Sequence, residues 1–211
     1  MTSVVAEPDR AALERAADSV IHPLWVRVTH WINAIAVLVM IGSGWQIYNA
    51  SPLFSFTFPR GMTLGGWLAG ALLWHFAAMW LVVVNGIAYL TLGILTGRFR
   101  RKLLPIRARD VLADLRAALA LRLSHADPSA YNAVQKLLYV GVIVAGVVIV
   151  LSGLSLWKPV QLQELTALFG GYEAARYVHF CAMAAIVGFL IVHVALAMLV
   201  PKSLRAMITG R

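Results

Sequence analysis

Four long segments of the chain are free of charged residues, and the stretches between them carry nearly all of the charge. The uncharged runs cover residues 31–48, 61–97, 137–157 and 177–201. A helix needs about 20 apolar residues to cross the hydrocarbon core of a bilayer, and each run reaches or nearly reaches that length. Only 13% of all residues are charged, against about 25% in a typical soluble domain. The pattern predicts an all-α fold, an integral membrane four-helix bundle.

Flanking residues extend these runs into one membrane domain, residues 24–205, which follows a lead-in of residues 1–23. The spans are expected at about 24–48, 64–97, 135–157 and 175–200. Between the second and third spans, arginines alternate with apolar residues at helical spacing. That spacing predicts a helix on the membrane surface within residues 98–136; docking of a soluble partner on this segment is the alternative.

Lysines and arginines are distributed unevenly between the two ends of the predicted bundle. Fifteen of the 18 lie before the first run, between the second and third, or after the last. The other two connections hold only Arg60, Lys158 and Arg176. Cytoplasmic loops carry such an excess of cations, so we expect both termini and the 98–136 loop to be cytoplasmic. The net charge of +9 follows from this topology and does not call for a nucleic-acid partner.

Two histidines interrupt the last apolar run. His179 and His193 are fourteen residues apart, a spacing that turns an α-helix through almost four full turns and separates them by roughly 21 Å. They therefore share one face of the helix but lie too far apart to bind a single metal ion. Their spacing predicts two separate partners, one above the other along the bundle.

A histidine in the second span lies at the same depth as His179. His75 is 23 residues from Arg98, the cation at the cytoplasmic end of its span, and His179 is likewise 23 residues from Lys202. We expect these two imidazoles to face each other near the outer side of the membrane. They are called the outer pair below.

A histidine in the first span matches His193 in the same way. His30 is 18 residues from Tyr48 at the outer end of its span, and His193 is 17 residues from Arg176. These imidazoles form the inner pair, nearer the cytoplasm. Two neutral imidazoles that face each other across a bundle core are suited to be the axial ligands of a b-type haem iron.

The two pairs therefore predict two haem b groups. Binding is expected to be non-covalent, because the chain has one cysteine and no C-x-x-C-H motif. A histidine-lined metal permease without haem is the alternative of another class, although all nine carboxylates lie outside the spans and ion pumps normally place Asp or Glu in the bundle. Of the two other histidines, His22 is expected at a helix start and His125 in the cytoplasmic loop.

Four short motifs resemble a known family. They are RVTHWINA in the first span, WHF in the second, YNAVQK before the third, and the spaced pair His179 and His193 in the fourth. Over residues 20–205 the chain resembles the four-helix dihaem cytochrome b family of formate dehydrogenase gamma subunits, nickel-iron hydrogenase cytochrome b and thiosulfate reductase cytochrome b, to which bacterial cytochrome b561 is related. The resemblance implies a multi-pass protein of the bacterial inner membrane and the same two pairs of haem ligands.

The resemblance also implies a quinone site on the cytoplasmic side, beside the inner haem. YNAVQK is the matching segment, which makes Asn132 and Gln135 candidates to hydrogen-bond a quinone carbonyl. A helix cap at Asn132 and an interface position at Gln135 are the alternative. Arg27, one turn before His30, is a candidate partner for a haem propionate or for a lipid headgroup.

Taken together, these implications describe an electron carrier between the quinone pool and an oxidoreductase subunit on the outer side, working in either direction. The expected partner is a dehydrogenase or a molybdopterin oxidoreductase subunit, because the chain has no substrate-processing motif and performs at most a quinone half-reaction. A free-standing cytochrome b561-type oxidase of a small redox species such as superoxide is the nearest alternative. A membrane anchor without a redox role is another.

Overall fold

The computed structural model describes residues 21–119 and 131–210, and in these residues it contains helices and no strand. Residues 1–20 of the lead-in and His125 lie outside the described residues. The helices are α1 (Leu24–Ala50), α2 (Leu68–Leu95), α3 (Arg98–Lys102), α4 (Ala108–Leu119), α5 (Ala133–Trp157), α6 (Gln163–Leu168), α7 (Tyr172–Leu199) and α8 (Pro201–Thr209), with a short 3-10 turn at Arg60–Met62.

Four of these helices, α1, α2, α5 and α7, are long and apolar enough to cross a membrane, which confirms the predicted all-α four-span architecture. Each has 25 to 28 residues, or roughly 40 Å of length, which exceeds the hydrocarbon thickness. The second helix begins at Leu68 and not near residue 64, because Gly65 and Gly66 adopt φ angles of 108° and 72° and form a turn. At Gly65 a Cβ would lie 2.4 Å from the Ala71 backbone nitrogen, so only glycine fits there.

The long helices form two hairpins with a gap between them. Helix α1 packs along α2, and α5 packs along α7, whereas close backbone contacts between the two hairpins are sparse within the described ranges. An elongated cavity of about 2600 Å³ separates the hairpins. Ordinary small-molecule pockets hold about 300–1,000 Å³, so this gap has room for more than one bound group.

Small residues let the helices of each hairpin approach closely. On α2 and on α7, alanines occupy the positions four residues before and three residues after the outer-pair histidine. All of them are buried, namely Ala71, Ala78, Ala175 and Ala182. The two hairpins therefore use the same small-residue spacing around His75 and His179, which indicates an internal structural repeat.

The last helix, α8, and the helix α4 in the connection between the hairpins are also tied to the bundle. The Arg27 side chain donates to the Ile208 carbonyl at 2.7 Å, and the Trp31 indole donates to the Met207 carbonyl at 3.4 Å. These bonds hold α8 against α1. Helix α4 lies where the surface helix was predicted and exposes Leu112, as an interfacial helix does.

Helix α5 begins with a capping box. The Asn132 side chain accepts from the Gln135 backbone N–H at 2.7 Å, and the Gln135 side chain accepts from the Asn132 backbone N–H at 3.1 Å. The Asp114 carboxylate on α4 accepts from the Ala133 N–H at 2.7 Å. Three donors at the start of the third span are thereby satisfied, and the surface helix is joined to that span.

Replacing Asn132 by alanine is expected to destabilise the bundle by about 1 kcal/mol, the usual value of an N-cap side chain. Thermal unfolding in detergent would show this as a lower midpoint. Asn132→Ser is the matched control, because serine caps as well as asparagine and should stay close to the wild type. Equal midpoints for the alanine and serine variants would contradict a capping role.

Candidate functional site

All four histidines of the outer and inner pairs line the cavity between the hairpins. Helix α7 contributes one histidine to each pair, α2 contributes to the outer pair and α1 to the inner pair, so each pair spans the gap from one hairpin to the other. The histidines that residue counting placed at equal depths therefore face one common cavity.

The inner pair is brought into direct contact range. The ring centres of His30 and His193 are 5.9 Å apart, with an angle of 63° between the ring planes. Two imidazoles that bind one metal ion from opposite sides, each at about 2 Å, have ring centres roughly 6 Å apart. The observed separation fits that arrangement.

The outer pair faces the same cavity, with one histidine on each hairpin. Each ring is held from behind by a serine of its own hairpin. The Oγ of Ser43 lies 3.0 Å from Nδ1 of His75, and the Oγ of Ser152 lies 3.0 Å from Nδ1 of His179. Both rings therefore keep Nε2 as the nitrogen available to another partner.

The lining fits flat cofactors held by one imidazole on each side. Among the described residues, no cluster of three or more histidine, cysteine or carboxylate side chains could hold a bare metal ion, whereas the histidines come in facing pairs. One turn from His30, the Oδ1 of Asn33 is buried at the cavity wall and has no hydrogen-bond partner in the described part of the chain. An orphaned buried acceptor of this kind indicates that a further group belongs beside the inner pair.

A polar cluster that the sequence analysis missed closes the inner end of the cavity. Its members, here called the inner polar cluster, are His22, Tyr89, Arg98, Tyr131 and Tyr139, all of which line the cavity. The Arg98 guanidinium lies 3.4 Å from Nδ1 of His22, and its positive charge acts on the nearby Tyr131 hydroxyl. The rings of Tyr131 and Tyr139 have centres 5.0 Å apart.

The internal repeat offers a signal that identifies two of these residues. Tyr89 follows His75 by fourteen residues, as His193 follows His179. Tyr139 precedes Ser152 by thirteen residues, as His30 precedes Ser43. At the inner level, then, one helix of each hairpin carries a histidine and the other carries a tyrosine.

The pKa values of His22 and Tyr131, the two cluster members that lie outside the spans, differ from the ordinary values of these side chains. Burial, together with the Arg98 cation, lowers the pKa of His22 from 6.5 to about 4. Burial raises the pKa of the Tyr131 hydroxyl, and Arg98 opposes that rise. At neutral pH both side chains are therefore uncharged, and Arg98 is the cation of the cluster.

The other three predicted site residues, Gln135, Asn132 and Arg27, have different surroundings in the structure. Gln135 lines the cavity near the inner polar cluster. The Asn132 side chain is engaged in the capping box with the Gln135 backbone. Arg27 donates a hydrogen bond to the Ile208 carbonyl of α8, a contact that holds two helices together. Its role as a partner of a haem propionate stays a prediction.

The fold and the paired histidines define a class of protein: a membrane cytochrome with a four-helix bundle. Comparison with known families agrees, since the family of prokaryotic cytochrome b561 matches residues 21–210. The chain belongs to this family, and is a haem-binding, electron-transferring, multi-pass protein of the bacterial inner membrane, in contact with lipid.

Among individual proteins, the chain is similar to a putative protein-methionine-sulfoxide reductase subunit, YedZ1, of Azospira oryzae. The two are 56% identical over 190 residues, which cover 90% of this chain and 96% of the relative. Nearly the whole bundle is therefore shared between them.

The lowered pKa of His22 predicts a dependence of stability on pH. A histidine whose pKa is about 4 when folded and 6.5 in its ordinary state is protonated more readily in the unfolded chain, so its contribution is present above pH 6.5 and is lost as pH falls toward 4. The unfolding midpoint of the wild type should drop between about pH 7.5 and about pH 5. His22→Gln should show a smaller drop, and an equal drop in both proteins would contradict this account.

Proposed function

We propose that this protein binds two haem b groups and carries electrons between the quinone pool and an oxidoreductase subunit at the outer face of the membrane. One observation supports this above all: two pairs of histidines, one pair with ring centres 5.9 Å apart, line a single cavity between two helix hairpins. In such an arrangement the bundle supplies a route for electrons from one side of the membrane to the other.

His75 and His179 would hold the outer haem iron, and His30 and His193 the inner one. When bound, haem supplies one-electron chemistry. The chain contributes the apolar helices that exclude water and the neutral imidazoles, one from each hairpin, that hold each group. Because α7 contributes to both pairs, its roughly 21 Å of rise between His179 and His193 sets the distance from one site to the other.

The inner polar cluster is the quinone site that we propose, in continuity with the segment expected from the resemblance. A quinone carbonyl oxygen could accept hydrogen bonds from the Arg98 guanidinium and the Tyr131 hydroxyl, both of which line the cavity. Gln135 lines the same cavity. The capping box employs the Asn132 side chain, so Asn132 would act by shaping the start of α5. The predicted cytoplasmic position of this end favours access to water and protons.

The name of the Azospira oryzae relative suggests the partner and the direction of electron flow. Reduction of methionine sulfoxide to methionine consumes electrons, so a subunit of such a reductase delivers them. We therefore favour a methionine-sulfoxide-reducing partner, with or without a molybdopterin, over the dehydrogenase that the resemblance implied. Electrons would then flow from quinol at the inner polar cluster toward the outer face.

The haem assignment is tested by counting haem in the purified protein through the pyridine haemochrome spectrum. Two haem b groups per chain are expected in the wild type, and one in each of His75→Ala and His30→Ala, because each substitution removes a ligand of a different pair. His125→Ala is the control, since the sequence places His125 outside the spans, and it should keep both groups.

A colourless protein after expression with ample haem would rule out the cytochrome reading and direct attention to metal transport. Full haem content in all the histidine variants would show that other residues hold the iron. Either result is independent of which partner the protein serves.

The quinone assignment is tested by following haem reduction by a quinol analogue in proteoliposomes. Tyr131→Phe removes a donor of the inner polar cluster while keeping its ring, and should raise the quinol concentration needed for half-maximal rate several-fold with an unchanged haem spectrum. Tyr177→Phe is the matched control, because Tyr177 is exposed, packs on Phe54 and is not among the residues that line the cavity. Identical kinetics for both variants would place the quinone elsewhere.

A further inference from the structure

Each hairpin contains a buried serine that contacts the outer-pair histidine of the same hairpin. We propose that Ser43 and Ser152 are positioning residues that orient His75 and His179 and lower the reduction potential of the outer haem. This inference rests on the proposed haem binding, and it concerns a part of the site that the histidine pairs alone do not define.

At Ser43 the direction of the hydrogen bonds follows from the distances. Its Oγ lies 2.6 Å from the Val39 carbonyl oxygen, one turn earlier on α1. Two oxygens so close need a proton between them, and only the hydroxyl carries one, so Ser43 donates to that carbonyl. The Oγ then accepts from His75, whose Nδ1 is 3.0 Å away.

Ser152 repeats this arrangement in the second hairpin. Its Oγ lies 2.8 Å from the Val148 carbonyl oxygen and 3.0 Å from Nδ1 of His179. Both serines are completely buried, so no water competes for the hydroxyl oxygen. The agreement of two separate hairpins in donor, acceptor and distance argues that the contact is a built feature and not accidental packing.

The residue after each serine is a glycine that lies beside the ring. A Cβ on Gly44 would lie 3.4 Å from Cε1 of His75, and a Cβ on Gly153 would lie 3.1 Å from Cε1 of His179. At Gly153 this distance is shorter than most Cβ contacts, so glycine lets the His179 ring lie close to the α5 backbone, whereas at Gly44 a Cβ would make an ordinary contact. The serine-glycine pair supports the ring at its edge and at its Nδ1 atom together.

This support has a chemical consequence for a metal ligand. A bond from Nδ1–H fixes the tautomer in which Nε2 carries the lone pair, and it makes the imidazole a stronger base. A more basic axial ligand stabilises ferric over ferrous iron, which lowers the reduction potential. Both ligands of the outer haem would act in this direction.

The inner pair is supported in another way. The rings of His30 and His193 pack on aromatic rings, those of Trp31 with a centre distance of 5.3 Å and of Phe189 with 5.5 Å. An aromatic contact does not accept the Nδ1 proton as a hydroxyl oxygen does. The serines should therefore act selectively on the outer haem.

The experiment is a redox titration of the purified full-length protein, with Ser43→Ala and Ser152→Ala measured against the wild type. The outer haem signal is the one absent from His75→Ala. Its midpoint potential should rise in each alanine variant and rise further in the double variant, while the inner potential stays unchanged. The serines contact Nδ1 of each histidine and leave Nε2 unchanged, so the alanine variants should retain haem.

Two controls separate this role from general packing. Ser155 is equally buried but donates to the Ser152 carbonyl, so Ser155→Ala should leave both potentials unchanged. Ser43→Thr and Ser152→Thr keep the hydroxyl and should keep a potential close to that of the wild type. The electron paramagnetic resonance spectrum of the oxidised outer haem should change in the alanine variants alone, because it reports the orientation of the axial rings.

The outcomes are distinct. Outer haem lost from the alanine variants but retained in the threonine variants would also support the role, since the hydroxyl would then be needed even for binding. Alanine and threonine variants that behave alike, or an outer potential that is unchanged or lower in the alanine variants, would overturn it. A wild type without haem would instead refute the proposed function, before any serine variant is considered.

Discussion

The need to satisfy imidazole nitrogens inside an apolar bilayer governs the organisation of this protein. A polar group left unpaired in the hydrocarbon region costs several kcal/mol, and four histidines lie within the spans. In the outer pair one nitrogen of each ring is satisfied by a serine of the same hairpin. All four histidines line the cavity between the hairpins, so a group bound there can supply the remaining partners. A gap that would be a packing defect in an ordinary bundle becomes the binding site.

The two hairpins resemble each other at the outer level and differ at the inner level. Around His75 and His179 the same serine, glycine and alanine spacing recurs. At the inner level each hairpin has one histidine and one tyrosine, and Arg98 and His22 complete a polar cluster there. The outer level is therefore built for holding a cofactor, while the inner level has further donors that face the cavity. This asymmetry agrees with electron exchange at the inner end with a small polar-headed substrate, as we propose.

Much of this could be predicted without coordinates. Charge-free runs of the length of a bilayer predicted the four spans, and helical periodicity with residue counting predicted which histidines share a level. The same reasoning missed Tyr89, Tyr131 and Arg98, because a tyrosine or an arginine near the end of a span is also what an interfacial anchor looks like. It also left Asn132 open between ligand and cap, since both roles require the same amide side chain, and Arg27 open between a propionate and a headgroup.

The sequence by itself determined the all-α four-span class and predicted the depth of the four span histidines and the membership of the pairs, because hydropathy and the 3.6-residue helical repeat act within one segment. Only the tertiary structure decided that α1 packs on α2 and α5 on α7 with a cavity between them. It alone decided that Ser43 and Ser152 face the histidines and that Arg27 holds α8. These contacts depend on how each helix is rotated about its axis relative to its neighbours. That rotation is decided by packing between side chains that are distant in the chain, so no local sequence pattern predicts it.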